Sequence, residues 1–363
     1  MTSFDALVIG GGPAGAAASI RLARSGYSVC LADAGKPGEF KVGESLPPAV
    51  KPLLRDLGAD LAESSVALPS YGNQSSWGDA VLRDTDFIND PRGHGWHVDR
   101  PAFDAALCSV AATAGVTIRA RTRLLSALPT PVGSWHAMLK SGAAKHTVEA
   151  HWIVDCAGRS ASFVRSQGVR RTAHDRLIAI VAEFSSNGSH DADSRTLVES
   201  VADGWWYTSL VPRSRRIVVF HTDAATPACR LARTTDGFLS LLASTRYVQQ
   251  RLAPNGFELA GPFRIASANT ARLEAFSGPR WLAAGDAAMS FDPLSSQGIM
   301  TALYSGLKAA DAVHESIRGL SGAADRYGTA LERVFEAYMH NRNVYYRDER
   351  RWPQSPFWRA HHE

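Results

Sequence analysis

The sequence predicts an α/β protein, in which a Rossmann-type dinucleotide-binding domain is interrupted by an inserted antiparallel-sheet domain. The chain opens with an apolar run, a glycine-rich turn and a helical pattern in succession, which is the order of a βαβ unit. From about residue 170 to about residue 265, apolar and polar residues alternate, as in the strands of an antiparallel sheet. At about 150 residues per domain, the 363-residue chain is long enough for two domains.

The glycine-rich turn, GGGPAG, follows the apolar run ALVI, which is typical of a buried parallel strand. Gly10 permits the tight turn, and Gly12 lets the backbone approach a pyrophosphate. Gly15 allows the following helix to lie against the strand, so that the helix N-terminus faces the phosphates. Pro13 and Ala14 lie in the same motif and belong to the predicted cofactor site.

The second strand, YSVCLAD, ends at Asp33, 18 residues after Gly15. A carboxylate at this place accepts hydrogen bonds from a ribose diol. The acid favours FAD or NAD and argues against a nucleotide with a 2′-phosphate. The opening unit therefore predicts a dinucleotide site and leaves open which dinucleotide binds.

Periodicity predicts the remaining elements. Helices are expected over residues 101–114, about 297–318 and about 322–345, whereas residues 63–91 show no regular period and are expected to be irregular. The central sheet is expected to have one face in water. The aromatic tail is expected to pack onto the body through Trp352, Pro353, Phe357 and Trp358.

Composition excludes several classes of protein. With 45% apolar and 20% charged residues, the chain is not disordered, and its net charge of +4 comes without a basic tract, so we expect no nucleic-acid partner. No apolar run approaches the roughly 18 residues of a membrane span, and the first residues lack the basic segment of a secretory signal, so we expect a cytoplasmic protein. The four cysteines lack metal-ligand spacing, and we expect free thiols and no metal.

Two histidines are candidate catalytic residues because their side chains titrate near neutrality. His97 lies in GWHVD and His221 in VVFHTD. Each has a second interpretation, as a strand residue with a structural hydrogen bond. Trp205 and Trp206 are adjacent, so in a strand they point to opposite faces and at most one of them faces a pocket.

Four further segments carry a family resemblance: VGESLPP, GWHVDRPAFDAAL, WIVDCAGRSASFVR and WLAAGDAAMSFDPLSSQGIMTAL. Together with the opening unit, they resemble the single-component FAD monooxygenases of the p-hydroxybenzoate hydroxylase type, a fold shared by aromatic hydroxylases, geranylgeranyl reductases and flavin-dependent halogenases. The resemblance covers about half of the chain, over residues 4–60, 94–168 and 280–305. It implies that the dinucleotide is FAD.

The resemblance also implies roles for individual residues. Asp286, next to Gly285 at the pyrophosphate and ribityl chain, would accept a hydrogen bond from a ribityl hydroxyl. Glu44 would lie by the isoalloxazine ring, where a buried carboxylate is also a catalytic candidate. The other implied cofactor residues are Ser45 and the segment with Pro293, Gly298 and Ile299 by the ring, Arg100 by the cofactor, and Leu124 near the adenine.

The positions of these motifs divide the chain. A discontinuous FAD-binding domain is expected over residues 1–70, 94–168 and 264–320, and a substrate domain over residues 71–93 and 169–263. Residues 321–363 are expected to form a C-terminal helix and the aromatic tail.

Within the family, the chain shares one halogenase motif and lacks others. Phe291, Pro293, Ser296 and Gly298 match the halogenase pattern FxPxxSxG. Halogenases of that group have a pocket lysine four residues before a tryptophan. If Trp77 is taken as that tryptophan, the lysine position is occupied by Asn73. The group's WxWxIP motif is also broken, since the chain reads GWWYT.

The chain also resembles the LodB, GoxB and QhpG group, flavoproteins that mature quinone cofactors in other proteins. The segments that carry this resemblance are GESLPP, GNQSSWG, DGWWYTSLVP, DPLSSQGI and RRWPQSPFW. This implies hydroxylation of an aromatic side chain, a peptidyl tryptophan, in a quinoprotein precursor through a flavin C4a-hydroperoxide. O₂ would be a co-substrate, and because no second GxGxxG follows a strand, NAD(P)H docks transiently or an external reductase supplies electrons. The alternatives are a halogenase or small-molecule aromatic hydroxylase of the same fold, and a maturation factor without turnover. Oligomeric state is not predicted.

Overall fold

The computed structural model describes residues 2–36, 38–61, 65–187 and 191–362, and it confirms the α/β architecture. The strands, in chain order, are β1 Thr2–Ile9, β2 Val29–Ala32, β3 Ser45–Leu46, β4 Ala67–Ser70, β5 Gly72–Ser76, β6 Arg83–Asp86, β7 Gly95–Val98, β8 Thr117–Arg119, β9 Thr122–Pro129, β10 Trp135–Ser141, β11 Ala144–Asp155, β12 Arg171–Ala173, β13 Leu177–Ser185, β14 Thr196–Val201, β15 Gly204–Val211, β16 Arg215–Asp223, β17 Glu258–Leu259, β18 Arg264–Ser267, β19 Ala271–Leu273, β20 Ser277–Gly278, β21 Trp281–Ala283 and β22 Met289–Ser290.

The helices, in chain order, are α1 Pro13–Arg24, α2 Lys51–Asp56, α3 Arg100–Thr113, α4 Ser162–Ser166, α5 Pro227–Leu231, α6 Thr235–Ala243, α7 Tyr247–Leu252, α8 Gly298–Ile317, α9 Ala323–Asp348 and α10 Pro356–His362. Helices α3, α8 and α9 match the three helices expected from periodicity. Across the described ranges, no helix is both long enough and apolar enough to cross a membrane.

The first large sheet carries the βαβ unit and has the order β20-β21-β11-β1-β2-β8. Its central strands are parallel, since β1 pairs with β2 and β11, β11 with β21, and β2 with β8. Strands β9 and β10 continue from β11 in antiparallel order. The carboxyl ends of β1, β2 and β11 therefore meet at one edge, which is where open α/β sheets bind ligands.

Helix α1 lies between this sheet and α8, and glycines make the close approach possible. A Cβ built on Gly15 would lie 1.8 Å from the carbonyl oxygen of Gly10, and one on Gly306 would lie 2.2 Å from the carbonyl oxygen of Ala14. Since no side chain fits into these contacts, glycine is required at both positions. The start of α1 is thereby fixed against the sheet and against α8.

The second large sheet has the order β17-β13-β16-β15-β14-β5-β6, and β18 also pairs with β13. It is antiparallel except for the parallel pair of β14 and β5. The expectation that residues 63–91 are irregular is wrong for β4, β5 and β6. Strands β4 and β5 pair with the later strands β7 and β14, and β6 pairs with β5. Residues 63 and 64 lie outside the described residues. The sheet also includes β18, which extends to Ser267, beyond the expected boundary at residue 263.

The expected wet face of this sheet is also wrong, because both faces are covered. Strand β15 is buried along its whole length. Trp206 and Phe220 pack on one face against α6 through Phe238. On the other face, Trp205 packs in a cluster with Trp358 of the C-terminal tail.

The C-terminal tail packs onto the second sheet largely as expected. Phe357 and Trp358 are completely buried, Trp352 is half-buried, and Pro353 is exposed. The indole Nε1 of Trp358 donates a hydrogen bond to the carbonyl oxygen of Val201 at 2.9 Å. The tail therefore covers the face of the sheet that carries Trp205.

Replacing Trp358 with Ala should destabilise the protein by about 3–5 kcal/mol, because the change leaves a large cavity and an unpaired carbonyl. The free energy of unfolding from a urea titration measures this loss. Tyr345→Ala is the matched control, since Tyr345 lies nearby in α9 with 60% of its surface exposed and should lose no more than about 0.5 kcal/mol. Equal losses in the two variants would contradict the packing role of the tail.

Candidate active site

One cavity of about 740 Å³ lies between the two large sheets. The carboxyl ends of β1, β2 and β11 form one end, and the inner face of β13, β15, β16 and β18 forms the other. This volume is in the range of cofactor and ligand sites. The cavity therefore joins the nucleotide-binding edge of the first sheet to a covered face of the second.

The glycine-rich loop lines the first end through Gly10, Gly12, Pro13 and Ala14. Gly10 has a φ of +103°, and a Cβ there would lie 2.2 Å from the carbonyl oxygen of Cys156. By contrast, a Cβ on Gly12 would meet no protein atom within 4 Å. Since Gly12 caps α1 without a side-chain hydrogen bond, the first N–H groups of that helix are available to an anion.

Asp33 and Leu124 line the same end of the cavity. The Oδ1 of Asp33 accepts a hydrogen bond from the backbone N–H of Gly11 at 3.1 Å, and its carbonyl oxygen accepts one from the N–H of Thr122 at 2.7 Å. The acid is thus held beside the turn, and Leu124 follows two residues after Thr122. An acid, an apolar side chain and an open helix N-terminus fit the ribose, adenine and diphosphate of a dinucleotide.

Arg100 also lines the cavity, at the start of α3. Its Nη1 donates to the carbonyl oxygens of Val42 and Gly43, the latter at 2.9 Å. Lys41 lies in the same cavity wall and forms an ion pair with Asp104 at 2.8 Å. Arg100 therefore holds the loop that leads to Glu44.

Asp286 lines the cavity from the turn after β21, and Arg159 lies 3.5 Å from it between Nε and Oδ2. The neighbouring Gly285 does not line the cavity, and neither does Gly15. Gly285 has a φ of +61° and a Cβ on it would lie 2.8 Å from the Cβ of Ala14, so its glycine is required by packing. Pro293, Gly298 and Ile299 line the wall at the start of α8.

Glu44 is buried in the cavity wall, next to Ser45, which also lines it. The Ser209 hydroxyl donates a hydrogen bond to its Oε1 at 2.7 Å, and the Tyr207 hydroxyl also bonds to the carboxyl. Burial raises the pKa of Glu44 above its usual value, so the carboxyl is more readily protonated than one in water. Both hydroxyl partners come from β15 of the second sheet.

The structure brings His221 to the cavity and leaves His97 outside it. His221 is 2% exposed, stacks on Trp205 with ring centroids 3.7 Å apart, and has no hydrogen-bond partner for Nδ1 among the described residues. Burial lowers its pKa to about 3, so the ring is neutral near pH 7. His97 uses both ring nitrogens, at 2.9 Å from Leu210 O and Thr196 Oγ1, and burial lowers its pKa to about 4.

The inner end of the cavity forms an apolar slot. We use this name for the five small side chains of β13, β16, β18 and the residue after it, namely Ala179, Val181, Val219, Ala266 and Ala268. His221 and Tyr207 are the ring side chains beside them. No tryptophan of the described residues lines the cavity, because Trp205 and Trp206 are each buried in the core on their own face of β15.

Sequence reasoning missed several polar residues of the cavity, among them Arg159, Tyr207 and Asp292. Arg159 follows β11 in the turn CAGRS, at the edge where the parallel strands end, and this was an available signal. Tyr207 shares the strand face of Trp205 by alternation. Asp292 accepts a hydrogen bond at its Oδ2 from the hydroxyl of Tyr346 at 2.6 Å. Because Tyr346 lies 54 residues further along the chain, no local sequence pattern indicated this contact. Burial raises the pKa of Asp292.

A dinucleotide-binding α/β domain whose cavity opens onto a second, covered sheet defines a class of flavoprotein. The chain belongs to the FAD binding domain family, whose model matches residues 3–342. It is therefore an FAD-dependent oxidoreductase. Among the described residues, no cluster of histidine, cysteine and acidic side chains suits a metal ion.

The chain is similar to one curated protein and two solved structures of known flavoproteins. It is 27% identical over 367 residues to a putative FAD-dependent oxidoreductase, LodB, of Marinomonas mediterranea. This match covers 100% of this chain and 98% of LodB. The crystal structure of CmlS, a flavin-dependent halogenase, has a TM-score of 0.89 at 25% identity and covers 100% of this chain and 68% of its own. The peptidyl tryptophan dihydroxylase QhpG has a TM-score of 0.76 at 25% identity, with coverage of 99% and 79%.

Gly12→Ala should weaken FAD binding without destabilising the cofactor-free protein, because the added methyl group meets no protein atom and occupies the space next to the helix N-terminus. We expect at least a tenfold higher Kd in a titration followed by flavin fluorescence. Gly15→Ala is the matched comparison, since its methyl group overlaps the Gly10 carbonyl and should lower the melting temperature of the cofactor-free protein. Wild-type FAD affinity in Gly12→Ala would show that the diphosphate does not bind here.

Proposed function

We propose that this protein is an FAD-dependent monooxygenase that hydroxylates an aromatic side chain, a tryptophan, of a partner protein during maturation of a quinone cofactor. The apolar slot carries this proposal. It is walled by small aliphatic side chains, which leave room for a planar ring, and two polar groups, Tyr207 and His221, are placed beside it. Such a site binds an apolar ring and orients it with few polar contacts.

The residues of the cavity fit FAD along its length. Gly12 and the N-terminus of α1 would hold the diphosphate, Asp33 a ribose, and Asp286 the ribityl chain. Glu44 and Ile299 would lie by the isoalloxazine, close to the slot. When bound and reduced, FAD supplies the activation of O₂, with electrons from NAD(P)H or an external reductase.

The chain's own groups handle the protons of the reaction. His221 lines the cavity and is neutral near pH 7, so its ring accepts the proton that an aromatic ring loses when a hydroxyl replaces a ring hydrogen. Burial raises the pKa of Glu44, and in its protonated form the carboxyl donates a proton towards a developing oxygen anion. The aliphatic walls of the slot keep bulk water from both groups.

The relatives support this proposal at the level of the reaction. QhpG is described as a peptidyl tryptophan dihydroxylase essential for tryptophylquinone cofactor biogenesis. LodB matches this chain over nearly its whole length. The peptidyl substrate that is named for QhpG favours a protein substrate over a small molecule.

Halogenation is the second candidate function, because Phe291, Pro293, Ser296 and Gly298 match the halogenase pattern and CmlS shares the fold. The cavity argues against it. Among the described residues, Lys41 is the one lysine that lines the cavity, and its amine pairs with Asp104. No amine therefore lies at the slot to bind a hypohalous acid.

Co-expression with a quinoprotein precursor, followed by mass spectrometry of the precursor, tests the proposal. We expect one or more added oxygen atoms on a tryptophan. His221→Gln should lower the rate of modification about 10²–10⁴-fold through loss of the base. His136→Gln, at an exposed position of β10, should change the rate less than twofold.

The other outcomes are equally informative. A halogen isotope pattern on the product would establish the second candidate function instead. An unmodified precursor in the presence of reduced FAD and O₂ would contradict turnover and leave a maturation factor that acts by binding. Full activity in His221→Gln would show that His221 is not the base of the reaction.

A further inference from the structure

One strand that lines the cavity, β18, has an unpaired outer edge. Strand β18 pairs with β13 on one side, from Arg264 opposite Val181 to Ser267 opposite Ile178. No strand pairs with its other side among the described residues. Ala266 and Ser267 of this strand line the cavity, so the open edge and the slot share residues.

The register shows which backbone groups are unpaired. The N–H of Ala268 donates to the carbonyl oxygen of Leu177 at 3.0 Å, so this pair is of the hydrogen-bonded kind. In an antiparallel pair such positions alternate, so Ala266 also bonds to β13, whereas the N–H and C=O groups of Ile265 and Ser267 point to the open edge. No backbone hydrogen bond from another described segment reaches these two residues.

Two exposed basic side chains lie near the ends of the open strand. Ile265 is 51% exposed, on the face of the strand opposite to the cavity. Arg264 is exposed at one end of the strand, with its guanidinium 4.1 Å from the centre of the Phe40 ring. Arg176, exposed at the other end, directly precedes the residue that pairs with Ala268. Neither arginine forms an ion pair within the described ranges of the chain.

We propose that β18 binds an extended, acidic segment of the partner protein as an additional strand. This rests on the proposed function and states how the substrate reaches the slot. Backbone hydrogen bonds to Ile265 and Ser267 hold the segment, and side chains that alternate along it point towards the cavity and towards solvent. One inward side chain, an aromatic ring, enters the slot beside Ala266, and acidic residues on either side face Arg264 and Arg176.

The geometry makes this mode of binding specific for a peptide. A free amino acid or a small aromatic molecule fills the slot and gains nothing from the strand edge, whereas a peptide gains both sets of contacts. Unpaired edge strands are the surfaces to which extended peptides add in other proteins.

The test compares a peptide with its aromatic residue alone, using the oxidised FAD-bound protein. The probes are an acetylated and amidated hexapeptide, Glu-Thr-Trp-Thr-Val-Glu, and N-acetyltryptophanamide, and the change in flavin absorbance gives each Kd. We expect the hexapeptide to bind at least tenfold more tightly. The same peptide with lysine in place of both glutamates should bind at least threefold more weakly than the acidic one at low salt.

A matched pair of variants isolates the strand edge. Ile265→Pro removes an N–H that points to the open edge and leaves the ladder to β13 intact, as proline does in edge strands. It should remove the advantage of the hexapeptide over N-acetyltryptophanamide. Ile265→Ala keeps the N–H and should retain the advantage, and both variants should bind FAD as the wild type does.

Three results would overturn strand addition: equal affinity for the two probes, an unchanged advantage in Ile265→Pro, or a wild-type dimer that Ile265→Pro dissociates, which would mean that a second copy covers the edge. Failure of the proposed function is seen separately. Oxygen transfer to N-acetyltryptophanamide without a peptide advantage would retain the hydroxylase and reject the added strand. Tight peptide binding that depends on Ile265, without oxygen transfer, would retain the added strand and reject the hydroxylase.

Discussion

The structure depends on the close packing of helix α1 against the parallel sheet. Gly10 lies against the carbonyl of Cys156, Gly15 against the carbonyl of Gly10, and Gly306 against the carbonyl of Ala14, and a Cβ at any of these would lie within 2.2 Å of an oxygen. These contacts fix the helix between β1, β11 and α8. Its N-terminus is therefore held at the cavity before any ligand binds, and its unpaired N–H groups are already oriented for a diphosphate.

The second sheet is held over the cofactor end of the cavity by a buried polar network from helix α9. Tyr346 donates to Asp292 in the cavity wall and accepts from the indole of Trp205, the ring on which His221 stacks. Arg342, one turn earlier in α9, lies 3.7 Å from the same Asp292. Because this network joins the cavity wall to β15, the separation between the cofactor end and the slot is set by α9.

The sequence was sufficient for local features and insufficient for long-range ones. Gly12 and Asp33 could be predicted because turn, helix and strand follow one another within one βαβ unit, so their spacing along the chain determines their spacing in space. The slot could not be predicted, because Val181, Val219 and Ala268 read as ordinary strand residues until pairing and register bring them together. Trp205 and Trp206 point to opposite faces of β15 as alternation predicts, but each is buried in a core, so neither of them lines the pocket.

A crystal structure of the FAD complex is the most direct test of the central claim that the cavity orients the flavin ring towards the apolar slot. The account predicts the adenine beside Leu124, the diphosphate at Gly12 and the isoalloxazine between Glu44 and Ile299, with one face open to Ala266 and His221. A flavin ring at the Leu124 end, or FAD bound outside this cavity, would contradict it.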